Sequence, residues 1–226
     1  TLNESLWDKL YGRAHDCQID LSGEEILRPL HQFTDYVHFF GALASMEITH
    51  CGQWTLPEYN EGRNPKGPSA KVNANGKIVD EIKVSEIDYF IENYVRSAVM
   101  AKRAGFDMAL VHGGHSWLLM QFLSPMENHR TDEFGGSAEN RFRFAGECLS
   151  AIRQAVGKDY PILVKVNTNC AGEADEAYAQ DILYFCRQFE ALGADAIELS
   201  GYNWLGLGKK KIPTFYLDRA VQIRQA

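Results

Sequence analysis

FDMALVHGGHSWLLMQFLSP, residues 106–125, is the stretch on which the reading of this chain turns. Its first seven residues form an apolar run of strand length, shorter than a core helix needs. Two histidines, His112 and His115, stand at the end of that run with Gly113 and Gly114 between them. The carboxyl ends of strands are where functional loops gather in parallel α/β folds. Two imidazoles at such an end are either polar loop residues or a chemical site. The H-x-x-H spacing also raises a metal reading, with His50 as a third ligand. However, paired zinc histidines on helices usually stand at i and i+4, and no third ligand is near in sequence.

Outward from this stretch, helical and strand patterns alternate. Ile26, Leu30, Phe33 and Val37 share one helical face that stops at Gly41, and Ile87, Ile91, Val95 and Ala98 share another that stops at Gly105. A third helix opens with Ser137 as N-cap and Glu139 in its first turn, both suited to the positive end of a helix, and it closes at Gly157. A fourth places Tyr178, Ile182, Phe185, Cys186 and Phe189 inward, and a last one runs to the chain end. Four strands are expected, around 43–49, 106–112, 161–167 and 194–200, with residues 1–22 irregular. The strands read as apolar without alternation, so both faces are expected to be covered, as in parallel sheets linked by helices. Residues 51–84 form one long connection after a strand end, with Asn75-Gly76 as a hairpin signal. A lid or substrate wall is the expected role for a loop of this length.

The totals limit the function. A net charge of −7 over 226 residues argues against nucleic acid, which wants clustered Lys and Arg. The single basic run, Lys209 to Lys211, reads as a solvated loop. No apolar stretch approaches the ~20 residues needed to span a bilayer. Cys17, Cys51, Cys148, Cys170 and Cys186 are scattered with no C-x-x-C pair, which suits reduced thiols and an expected cytoplasmic location. The whole chain is expected to be one domain.

Gln121-Phe122-Leu123-Ser124-Pro125, then Arg130-Thr131-Asp132-Glu133-Phe134-Gly135-Gly136-Ser137, then Glu139-Asn140-Arg141, closely resembles the Old Yellow Enzyme family of FMN-dependent ene reductases. The likeness extends through residues 103–115 and 151–157, and more weakly through ITHCGQ, GPSA and ADAIELSG. It implies a TIM (β/α)8 barrel, of which this chain holds about strands three to six, since nothing matches the first two or last two. It also implies hydride transfer from NADH or NADPH through FMN to the C=C bond of an α,β-unsaturated carbonyl compound.

By motif position His112 and His115 inherit the pair that hydrogen-bonds the substrate oxygen, with Gly113 and Gly114 clearing space for the flavin ring. Lys165 falls where the family has an Arg at the flavin N1–O2 edge, and Glu47 where it has a Gln on the pyrimidine. His50 and the cluster Arg130, Asp132, Glu133 and Arg141 are expected to be structural. The family's proton-donating Tyr is here Trp117, which lines the substrate side but has no accessible acid proton. Tyr59, Tyr89 and Tyr202 are the other candidate donors, or the proton comes from water. The substitution also motivates a second reading, a barrel relative that binds flavin without turnover. Homo-oligomers or an appended redox domain are the expected macromolecular partners. Because the phosphate-binding strands are missing, the 226 residues alone are expected to bind FMN poorly.

Overall fold

A computed structural model describes residues 1–169, 175–201 and 217–225. The four expected strands are present: β3 (Ser45–Ile48), β7 (Met108–Gly113), β8 (Ile162–Asn167) and β9 (Ala196–Ser200). The N-terminal residues, read as irregular, add two more, β1 (Leu2–Leu6) and the two-residue β2 (Ile19–Asp20). All six are parallel, in the order β2-β1-β3-β7-β8-β9. LNESL has poor intrinsic strand propensity, because Asn and Glu are depleted in strands. It is extended because β3 offers it a partner, and Thr49 N–H donates to the Ser5 carbonyl at 3.1 Å.

Helices α1 (Leu27–Phe39), α2 (Ile87–Arg103), α3 (Leu118–Leu123), α4 (Ala138–Val156), α5 (Asp175–Ala191) and α6 (Leu217–Gln225) complete the chain. The Ser137 hydroxyl accepts from Asn140 N–H at the start of α4, the cap the sequence announced. Tyr94 and Phe90 of α2, Phe144 and Leu149 of α4 and Phe185 and Phe189 of α5 form the core against the sheet. Phe33 of α1 is instead more than a third exposed, although its ring stacks on Phe106 at 5.8 Å.

The strands do alternate, contrary to the expectation of uniformly apolar runs. Met46 and Ile48, Ala109 and Val111, and Ile162, Val164 and Val166 pack among the helix-side cores. By strand periodicity the other face carries Ser45 and Glu47, Leu110 and His112, Lys165 and Asn167, and Glu198 and Ser200. One face of the sheet is therefore apolar and the opposite face largely polar. The charges there are held by pairing with one another, described below.

Residues 51–84 fold as a second small sheet of β4 (Lys66–Gly67), β5 (Lys71–Val72) and β6 (Ile78–Glu81), in the order β4-β6-β5. Strands β5 and β6 form an antiparallel hairpin whose turn holds Asn75 and Gly76, the latter at φ 74°. Arg130 clamps this sheet by donating to the Pro68 carbonyl at 3.0 Å and the Ile82 carbonyl at 2.6 Å. No described helix is long and apolar enough to cross a membrane.

Candidate active site

Strand β7 delivers His112 to the carboxyl end of the sheet, and the chain then turns sharply. His115 and Ser116 both adopt left-handed backbone, at φ 50° and 62°, before Trp117 leads into α3. Each such non-glycine residue costs on the order of 1–3 kcal/mol, and strain of this kind collects at functional sites. Asn167 holds the turn, its Oδ1 accepting from His115 N–H at 3.0 Å. Gln121, fully buried, donates to the Ser116 carbonyl at 2.7 Å, and Trp54 Nε1 donates to it at 3.1 Å.

The two glycines answer to the protein itself. A Cβ on Gly113 would lie 2.7 Å from the Lys165 carbonyl oxygen, and one on Gly114 would lie 2.9 Å from Asn167 Oδ1. Strand β8 by itself thus leaves no room for a side chain at either glycine.

His112 is 3% exposed. Its Nδ1 accepts from Gly114 N–H at 3.0 Å, so the ring proton sits on Nε2. That Nε2 lies 3.1 Å from His115 Nδ1 and 3.4 Å from Glu47 Oε1. Burial, and then the positive charge of Lys165, push the His112 pKa well below the usual imidazole range, so the ring is neutral. His115 is half-buried, and its Nε2 lies 2.5 Å from the Ser200 hydroxyl at the end of β9.

Lys165 Nζ lies 2.6 Å from Glu47 Oε1 and 3.1 Å from Glu198 Oε1. Burial opposes its charge, but the bonds and charges of the two carboxylates outweigh that and keep its pKa above the usual lysine value. His112, Lys165 and Glu198 thus stand in register on β7, β8 and β9, while Glu47 of β3 is in register with Leu110, two residues before His112, and meets Lys165 across β7. Trp117 stands edge-on to His112, ring centroids 6.5 Å apart.

All five sequence-nominated residues, Glu47, His112, His115, Trp117 and Lys165, are brought together. Asn167, Glu198 and Ser200 are also in the site and were missed. The period-two pattern running from Lys165 to Asn167 and from Glu198 to Ser200 was the available signal. Tyr89 is not a donor here, since its hydroxyl donates to Asp8 Oδ1 at 2.8 Å. Tyr59 lies in the loop after β3, and Tyr202 lies outside the described residues.

His50 is a brace, its Nε2 3.2 Å from the buried carboxylate of Asp8. Of the expected structural cluster, Arg130 pairs with Asp132 at 2.5 Å and Arg141 pairs with Asp181 of α5. Glu133 supplies only its carbonyl, to Arg143 at 2.8 Å. Among the described residues, the group with metal-ligand spacing is His15, Asp16 and Cys17, not His50, His112 and His115.

The donor set fits FMN. Glu47 would offer an acceptor for a ring N–H and Lys165 a cation for the ring oxygens, while the buried Asn167 Nδ2 has no hydrogen-bond partner among the described residues. The sequence profile of the NADH:flavin oxidoreductase / NADH oxidase family matches residues 3–205. The chain belongs to that family. An NADH oxidase of Thermoanaerobacter brockii is 39% identical over 152 residues, 67% of this chain and 23% of that protein. The chain thus spans about a quarter of the length of that curated relative.

Three solved structures share its fold as part of a TIM barrel. A 2-naphthoyl-CoA reductase complex superposes with a TM-score of 0.84 at 26% identity, over 95% of this chain and 35% of that one. Morphinone reductase gives a TM-score of 0.80 at 23% identity, over 95% of this chain and 61% of its own. The Old Yellow Enzyme homologue from Zymomonas mobilis gives 0.76 at 23% identity, over 83% and 56%.

Proposed function

We propose that the protein containing this chain is an FMN-dependent oxidoreductase that takes hydride from NADH or NADPH and reduces the C=C bond of α,β-unsaturated carbonyl compounds, in the cytoplasm. The observation that carries this is the joint presence of His112 and His115 beside Lys165 at the carboxyl end of the sheet. Bound FMN would supply the hydride chemistry, with Glu47 and Lys165 as its contacts from this chain. The substrate carbonyl would be held by the two imidazoles. As hydride reaches the β-carbon, negative charge develops on that oxygen, and hydrogen-bond donors aimed at it stabilise it by a few kcal/mol. The neutral ring of His112 suits the task, because it donates a hydrogen bond without a full charge having to be desolvated. Four free cysteines among the described residues, three of them buried, agree with a reducing compartment.

The test is nicotinamide oxidation by the purified, FMN-loaded protein, with and without 2-cyclohexenone. Enone-dependent consumption of NADH or NADPH is expected. An FMN-bound protein that oxidises neither in response to the enone would sink the proposal.

A second reading, a relative that binds flavin without turnover, is favoured by Trp117 and by the neutralisation of Lys165 by two carboxylates. Trp117→Tyr separates the two. A large gain in turnover marks an enzyme lacking its proton donor, and unchanged, measurable turnover means that water or another group already supplies the proton. No turnover in either form favours the second reading.

A further inference from the structure

The hydrogen bonds of the histidine pair run in one direction. Gly114 N–H donates to His112 Nδ1, which leaves the His112 proton on Nε2, 3.1 Å from His115 Nδ1. An acceptor at Nδ1 leaves the His115 proton on Nε2, directed at the Ser200 hydroxyl 2.5 Å away. In this state His115 is an acceptor toward His112, so the pair cannot donate two hydrogen bonds to one ligand oxygen. For an oxygen seated between the rings to receive both, His115 must carry its proton on Nδ1 instead. Its Nε2 then becomes an acceptor and needs a donor.

A hydroxyl is both donor and acceptor and rotates to suit, which a carboxylate or an ammonium cannot do. We propose that Ser200 is a positioning residue that lets His115 change tautomer, accepting from Nε2–H in the free protein and donating to Nε2 when an oxyanion occupies the site. The ring keeps one proton throughout: one leaves Nε2 to water, one arrives at Nδ1 from water, and the serine O–H reverses direction. His115 is only half-buried, so exchange with water is open to it. The backbone of His115 does not take part, because Asn167 Oδ1 fixes its N–H in both states. Ser200 is itself held in register, its carbonyl accepting from Thr168 N–H at 2.8 Å and from the Thr168 hydroxyl at 3.1 Å.

This inference rests on the proposed role of the histidine pair, and its readout is independent of turnover. The measurement is the ¹⁵N spectrum of the ring nitrogens, with and without 4-nitrophenolate as an oxyanion probe, in the wild type, Ser200→Ala and Ser200→Thr. The wild type is expected to show His115 protonated at Nε2 when free and at Nδ1 with the probe. Ser200→Ala loses the Nδ1 form and binds the probe about five- to tenfold more weakly, as for one lost hydrogen bond. Ser200→Thr, which keeps the hydroxyl, behaves as wild type.

A His115 that stays protonated at Nε2 with the probe present, or an alanine variant matching wild type in spectrum and affinity, overturns the proposal. Should the alanine variant fail to fold, the wild-type spectra alone decide. A tautomer change in a protein that reduces no enone would refute the reductase reading and leave Ser200 its role.

Discussion

His50 and His112 stand at the carboxyl ends of neighbouring parallel strands and use the same backbone device. In each, Nδ1 accepts from the glycine N–H two residues on, at 3.0 Å, which places the ring proton on Nε2. The difference lies in what meets that proton. His50 faces the carboxylate of Asp8, which also accepts from the backbone N–H groups of Leu10 and Tyr11 and from Tyr89. His112 faces another imidazole at 3.1 Å, half-buried, with the Glu47 carboxylate farther off at 3.4 Å. A fixed charge with both oxygens engaged makes a brace, whereas an imidazole partner that can yield to a ligand oxygen makes a site.

The largest effect tests what surrounds His112. Lys165→Met would leave the buried Glu47 carboxylate without its cation and cost about 3–5 kcal/mol, measured by urea unfolding. Adding Glu47→Gln should recover most of that loss, and no recovery would mean that the ion pair is not what holds this part of the sheet. Next, His112→Ala should lower enone turnover about 10²–10³-fold, on the scale of one lost oxyanion donor, and cost about 1–3 kcal/mol of stability through the unpaired Gly114 N–H.

Asp8→Asn reverses the pattern. It should cost about 1.5–3 kcal/mol of stability through the loss of charge-assisted hydrogen bonds, and leave turnover per folded molecule intact. Matching kinetic losses in the two variants would erase the distinction between brace and site.

The smallest effect separates the two residues by pH. The folded protein refuses a proton at His112, whose pKa is lowered, while the unfolded chain accepts it near pH ~6.5. Stability from this group is complete above that value and declines below it by up to ~1.4 kcal/mol per pH unit. Burial pushes Asp8 up, but its bonds to His50, Tyr89 and Leu10 outweigh that and hold it below the usual carboxylate value. Its contribution is therefore lost only below pH ~4. Urea midpoints between about pH 5 and 7.5 should fall in wild type and flatten in His112→Asn. An unchanged slope would show that His112 is not the group that titrates.

Much of the site was legible because its markers are local. HGGH follows an apolar strand, and the residues after it carry the family motif through Arg141. The crowding at the glycines was not legible, since the Lys165 carbonyl beside Gly113 lies some fifty residues further on. Nor was the pairing of Lys165 with Glu47. Each was read singly as a cofactor contact, and their meeting across β7 takes the folded sheet to appear. Strand β1 escaped because its polar residues carry little propensity of their own and are extended by pairing with β3.

By itself the sequence determined the parallel α/β class, the helix stops, the family and the strand end that bears the chemistry. The class, the helix stops and the strand end rest on periodicity and turn chemistry within about twenty residues, and the family on its resemblance to the motif from Gln121 to Arg141. Tertiary structure decided which side chains share the site. Residues on different parallel strands become neighbours only after long crossovers are packed, and one step of register would turn each to the other face. That register sets His112 beside Lys165 and Lys165 beside Glu198, and brings the hydroxyl of Ser200 to the ring of His115.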